Sequence, residues 1–247
     1  QGLTADDFGG PELEGCNEHL VLTRPGVVAS VHDDYLAAGA LLVETDTFGG
    51  TPLVLGEYGL AQRTVELNRE AARIAREACA RHSTPDRPRF VVGSMGPTTK
   101  AITVTGGATF REMEEHYRLQ ALGLLEGGTD LLALETVQDT RNLKAGLLGV
   151  RRAMEETGIS VPLLLSATVE ASGTMLAGQT IEAFYASVMH APLLAVGLNC
   201  ATGPDLMRSH LRSLSSMAKA RVSCYPNAGL PDENGRYSLS PEDFART

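Results

Sequence analysis

The chain has 247 residues, enough for one sizeable core, with 43% apolar and 21% charged residues. Its formal net charge is −9 and it has no basic run, which argues against a nucleic-acid partner that would need a positive footprint. No apolar stretch approaches the roughly 18 residues of a membrane helix, no signal-peptide pattern is visible, and four scattered cysteines suit a reducing, cytoplasmic setting.

In chain order, the first apolar run is Leu41–Val43, which stops at Glu44-Thr45-Asp46. At most one of Glu44 and Asp46 is expected to face inward beside Thr45. Leu60, Leu67, Ala71, Ile74 and Ala78 then make one stripe at helical spacing, predicting a helix over Leu60–His82. A second run, Phe90–Gly93, stops at Ser94. Thr109 and Glu112 form a capping-box pattern ahead of a helix that buries Met113, Tyr117, Leu124 and Leu125, and Gly127-Gly128 closes it. The third run, Leu131–Leu134, stops at Glu135, where a carboxylate is costly to bury unless it meets something cationic.

Leu143, Leu147, Val150 and Met154 mark the next helix. Leu163–Leu165 leads to Ser166 and Thr168, and Leu193–Leu198 leads to Asn199-Cys200. Cys200 ends a strand and precedes a helix whose first turn holds Pro204. It reads either as a thiolate favoured by that helix end or as a small buried hydrophobe. Val222–Tyr225 leads to Asn227, where a turn before Ala228-Gly229 is the plain explanation. Cys16, Cys79 and Cys224 read as structural, and the six histidines show no metal-ligand spacing.

Uninterrupted apolar runs alternating with helical stripes predict an α/β fold with a parallel sheet buried on both faces. Strand starts recur about every 30 residues from Leu131 onward, as in a (β/α)8 TIM barrel, whose active sites gather at strand C-termini. Residues 1–247 are expected to form a single, incomplete barrel domain. Six strands are visible where a closed barrel needs eight, so a first strand before Gln1 and a last strand after Thr247 are expected to be missing. An open six-stranded sheet is the alternative.

Five of these stopping points, taken in register, resemble the homocysteine S-methyltransferase family. They are Glu44-Thr45-Asp46-Thr47-Phe48-Gly49, Gly93-Ser94-Met95-Gly96-Pro97-Thr98, Leu134-Glu135-Thr136 with Asp139, Gly197-Leu198-Asn199-Cys200, and Pro226-Asn227-Ala228-Gly229. With Leu230-Pro231 and Asn234-Gly235 following, the last motif looks most like the N-terminal homocysteine-binding module of cobalamin-dependent methionine synthases. The resemblance implies a TIM barrel and zinc-dependent methyl transfer to the thiol of L-homocysteine, giving methionine. It implies substrate-binding roles for Glu135, Thr45, Asp46 and Ser94, and a zinc site of three cysteine thiolates of which Cys200 is the first. The family's Gly-Gly-Cys-Cys-Gly motif, which supplies the other two, is absent from this chain.

Zinc prefers four ligands, and a neutral amide at Asn227 could hold the fourth place and yield it to substrate sulfur. Methylcobalamin would be presented by another domain, so cobalamin and folate domains of the same polypeptide are the implied partners. Two other readings stay open. One is a stand-alone homocysteine methyltransferase using S-methylmethionine or betaine; the other is a barrel that binds an amino acid without turnover.

Overall fold

The computed structural model describes residues 2–229, 231–233, 235–237 and 239–247. Leu230 and Asn234, quoted above among the sequence motifs, lie outside the described residues. The strands are β1 (Leu42–Glu44), β2 (Phe90–Met95), β3 (Leu131–Val137), β4 (Leu163–Ala167), β5 (Ala195–Asn199) and β6 (Arg221–Tyr225). Helices α1 (Ala5–Phe8), α2 (Leu20–Thr23), α3 (Pro25–Ala37) and α4 (Pro52–Leu55) precede the long α5 (Thr64–His82). They are followed by α6 (Phe110–Glu126), α7 (Thr140–Thr157), α8 (Ile181–Val188), α9 (Pro204–Met217) and α10 (Pro241–Arg246). The fold is α/β, with the strands in chain order across one sheet, β1-β2-β3-β4-β5-β6. The pairs β1–β2, β4–β5 and β5–β6 run parallel, with Val43 opposite Val91, Leu165 opposite Val196 and Gly197 opposite Ser223.

Local signals in the sequence map directly onto these elements. Thr109 caps α6 by accepting from the Glu112 backbone N–H, and the Glu112 carboxylate accepts from the Thr109 N–H at 2.7 Å. Gly128 follows with φ +91°, the left-handed turn that glycine adopts without strain. Pro204 occupies the first turn of α9, where its missing N–H costs nothing. The stripe over Leu60–His82 needs one correction. The helix begins at Thr64, and a 3-10 turn, Ala61–Arg63, intervenes. Such turns commonly lead into helices, and Leu60 still packs against the core formed by Phe8, Leu55, Leu67 and Ala71.

The expectation that every run is buried on both faces fails most at the two outermost strands, and also at the first residues of β2 and β4. In β3 and β5 every residue is buried. In β1 only Val43 is enclosed, while Leu41 and Leu42 are 51% and 50% exposed. In β6, Val222 is 39% exposed and Cys224 is exposed as well. A strand at the end of the order has a neighbour on one side only, and a short apolar run carries no mark of that position.

The chain divides into two compact units. The first comprises Gln1–Thr99, Thr109–Ala133 and Ala145–Pro162; the second comprises Lys100–Ala108, Leu134–Lys144 and Leu163–Thr247. In the first, Leu36, Val43, Ala75, Ala78, Cys79 and Val91 pack the face between α3, α5 and the first strands. Gly93 is packed closely against α6 and β3, where a Cβ would meet Leu132 Cδ2 at 2.6 Å and Leu124 Cδ1 at 3.1 Å.

Candidate functional site

In the second unit, Glu135 stands near the C-terminal end of β3 and is only 5% exposed. A carboxylate so enclosed needs polar company, and the Tyr225 hydroxyl at the end of β6 donates to its Oε2 at 3.4 Å. The next residue, Thr136, has φ +54°, a left-handed conformation rare for a β-branched side chain. Two further left-handed residues lie just past β5: Cys200 at φ +55° and Ala201 at +56°. Each such residue costs on the order of 1–3 kcal/mol and persists only where surrounding bonds hold it.

The bonds that hold Thr136 come from Asn199, a buried residue at the end of β5. Its Oδ1 accepts from the Thr136 backbone N–H at 3.0 Å and from the Ser166 hydroxyl at 2.6 Å. Its Nδ2 donates to Thr136 Oγ1 at 2.7 Å. One amide thus satisfies groups on β3 and β4 and directly precedes Cys200.

Cys200 itself is partly exposed, its N–H donating to the Tyr225 carbonyl at 3.4 Å. Past β6, the Asn227 N–H donates to the Thr202 carbonyl at 3.3 Å, so the loop carrying Asn227 is tied to the loop carrying Cys200. Asp139, which follows the Glu135 motif, is a helix cap: its carboxylate accepts from Arg141 N at 2.7 Å and from Thr103 N at 2.8 Å. Asn142 secures the same loop by accepting from Ile102 N and donating to the Lys100 carbonyl, at 2.9 and 2.8 Å.

In the first unit, the sequence-derived candidates Thr45 and Ser94 come together. Ser94 N–H donates to Thr45 Oγ1 at 3.1 Å and Thr47 Oγ1 donates to the Ser94 carbonyl at 2.7 Å. The Thr45 and Thr47 hydroxyls lie 2.6 Å apart. Since Thr47 spends its proton on the Ser94 carbonyl, Thr45 must be the donor between them, which closes a ring and commits the Thr45 proton to the Thr47 hydroxyl. Glu44 is exposed and Asp46 is partly buried. Burial first, then the charge of Glu18, push the Asp46 carboxyl up to about 7. Glu18 also accepts from the Gly49 N–H at 2.6 Å, which anchors the loop after β1. Beside it, burial first and the Glu18 charge next push the fully buried Cys16 thiol up to about 11, an inert protonated group.

The sequence places Asn199 and Tyr225 only at the ends of their apolar runs, without a role, and does not single out Glu18. Their partners lie 63, 90 and 31 residues away, and no local pattern announces them. Cys200 is a donor of the right softness for zinc, but it is a single donor. Among the described residues no group of three or more His, Cys, Asp or Glu could hold a metal ion. The described residues thus offer a single thiol here and not a metal site.

Parallel strands with a carboxylate, amides and a thiol at or just past their C-terminal ends define an α/β protein of TIM-barrel type. Solved structures agree on the fold. The homocysteine methyltransferase MmuM of Escherichia coli in its metallated form superposes with a TM-score of 0.74 at 22% identity, covering 92% of this chain and 79% of that one. Its apo form gives a TM-score of 0.67. The family described as homocysteine S-methyltransferase matches residues 2–247, and the chain belongs to that family. It is 46% identical over 246 residues to the methionine synthases of Mycobacterium leprae and Mycobacterium tuberculosis. The match covers 98% of this chain and spans 20% of those proteins' length.

Proposed function

We propose that this chain is the homocysteine-binding module of a cobalamin-dependent methionine synthase. The observation that carries the reading is Glu135, an enclosed carboxylate at a strand end, on the same unit as Cys200. In this reading Glu135 pairs with the substrate ammonium, which offsets the cost of its burial. Cys200 is one thiolate donor to zinc, the remaining donors coming from outside the described residues. Free thiols titrate near 8.5, so homocysteine is mostly protonated at neutral pH, and zinc, with Cys200 as one donor, would supply the Lewis acidity that favours its thiolate.

Substrate-binding roles for Thr45, Asp46 and Ser94 are proposed on the family motif, each to be tested singly. Asn227 is proposed as the displaceable fourth ligand. Methylcobalamin from another domain would be the methyl source, with cobalamin and folate domains of the same polypeptide as partners, in the cytoplasm. No helix among the described residues is long and apolar enough to cross a membrane.

The identity to methionine synthases over 98% of the chain supports this module over a stand-alone enzyme. Methyl transfer by the full gene product, assayed in parallel with methylcobalamin, S-methylmethionine and betaine, tests it. Methionine formed only from methylcobalamin supports the reading. Turnover with S-methylmethionine or betaine replaces it with the stand-alone enzyme, and homocysteine binding without turnover from any donor replaces it with a binding barrel.

A further inference from the structure

We infer that Asn199 is a positioning residue that sets the geometry of Glu135 and Cys200 together, by clamping the left-handed backbone at Thr136 from the residue that immediately precedes Cys200. The proposal rests on the homocysteine-binding reading for its substrate arm and on geometry alone for its second arm. A side chain at 1% exposure, making three hydrogen bonds at 2.6–3.0 Å, is fixed in one orientation. Two of those bonds grip Thr136, through its N–H and its hydroxyl, and the third draws in Ser166 of β4.

Thr136 is a poor choice for φ +54° on its own account. Without the amide, the backbone at 136 would relax toward the extended region that threonine prefers. That rotation redirects the peptide joining it to Glu135 and so moves the carboxylate. The same amide grows from the peptide that leads into Cys200 and Ala201, both left-handed. A rigid Asn199 therefore fixes where β3 presents its acid and where β5 releases its thiol. Asparagine suits the task because it donates and accepts at once without charge. An aspartate would bring a second buried negative charge beside Glu135, and a leucine would leave the Thr136 N–H without a partner.

The test uses the full gene product, with Asn199→Ala, Thr136→Gly and the double variant. Glycine accepts positive φ without strain, so it removes the need for a clamp at 136. In homocysteine titration calorimetry, Asn199→Ala is expected to lose about tenfold in affinity, the scale of a buried partner removed. Thr136→Gly alone stays within about twofold of wild type, and the double variant recovers at least about threefold of the loss.

In the chelator-treated protein, Asn199→Ala is also expected to change the alkylation rate of Cys200 by at least about threefold, with the already exposed Cys224 unchanged as internal reference. An unaltered Cys200 rate, or no recovery by the double variant, overturns the proposal. Glu135→Gln is titrated alongside. If that variant binds homocysteine like wild type, the substrate reading fails and the alkylation arm alone decides the clamp. If Asn199→Ala does not fold, Asn199→Ser goes through the same two measurements and is judged by the same outcomes.

Discussion

The hydroxyl of Tyr225 reaches Glu135 Oε2 across 3.4 Å, joining the ends of β6 and β3, which are 90 residues apart in the chain. A neutral hydroxyl at this distance steadies the carboxylate's position near the strand end. Glu135→Gln should leave the fold intact and weaken homocysteine binding by about 1.5–3 kcal/mol, the range for a hydrogen bond to a charged group. Tyr225→Phe should cost less, about 0.5–1.5 kcal/mol. Isothermal titration compares the two. An unchanged affinity in Glu135→Gln removes that residue from the substrate site.

Cys200 and Cys224 offer a matched pair of thiols one strand apart. Cys200→Ser in the full gene product should lose zinc and methyl transfer while circular dichroism stays near wild type. Cys224, whose Sγ lies 3.5 Å from Met207 Sδ, should tolerate the same change and keep its metal. Metal analysis by mass spectrometry reads both, and zinc retained in Cys200→Ser would overturn the ligand assignment.

Asn227 is tethered through its backbone to Thr202, two residues beyond Cys200. An amide oxygen is a weak zinc ligand that substrate sulfur can replace. X-ray absorption on the substrate-free full protein should show one fewer light-atom ligand, or a water in its place at a changed distance, in Asn227→Ala. Identical first shells in variant and wild type would assign the place to water from the start.

Asp46 and Glu18 give a pH dependence with a definite sign. The folded carboxyl of Asp46 sits at about 7, above its ordinary value of 3.8. The folded state therefore holds a proton that the unfolded chain has released, and stability from this group is full below about pH 4 and lost as pH rises toward 7. Asp46→Asn abolishes that loss and should gain roughly 1–3 kcal/mol over wild type at about pH 8, with little difference near pH 4. Urea unfolding at the two pH values checks it, since other carboxylates cancel in the difference. Parallel wild-type and variant curves would mean that Asp46 is charged in the folded protein.

What could be read from the chain follows the range of the interaction. The capping box at Thr109 and Glu112 spans three residues and needs no tertiary knowledge, so it was legible. The place of Glu135 near a strand end was legible too, because an acid that follows a four-residue apolar run is conspicuous wherever the strand goes. The exposed Leu42 was not, since its run looks like the others and only the sheet order makes β1 an outer strand. Asn199 was hidden for a related reason. Its importance lies in Thr136 and Ser166, 63 and 33 residues away, and in a backbone angle that composition does not encode. Asp139 shows the converse: it belongs to a family-like motif, yet its bonds to Arg141 and Thr103 make it a helix cap.

Gly197 faces Ser223 so closely that a Cβ on it would fall 2.1 Å from the serine's carbonyl oxygen and equally close to its hydroxyl. Backbone, not a flexible side-chain tip, is in the way, so no rotamer change can make room. A saturation library at this position should therefore return glycine alone, while its neighbour Val196 accepts other aliphatic residues. An alanine at position 197 should be read first as a folding defect, whatever becomes of substrate binding.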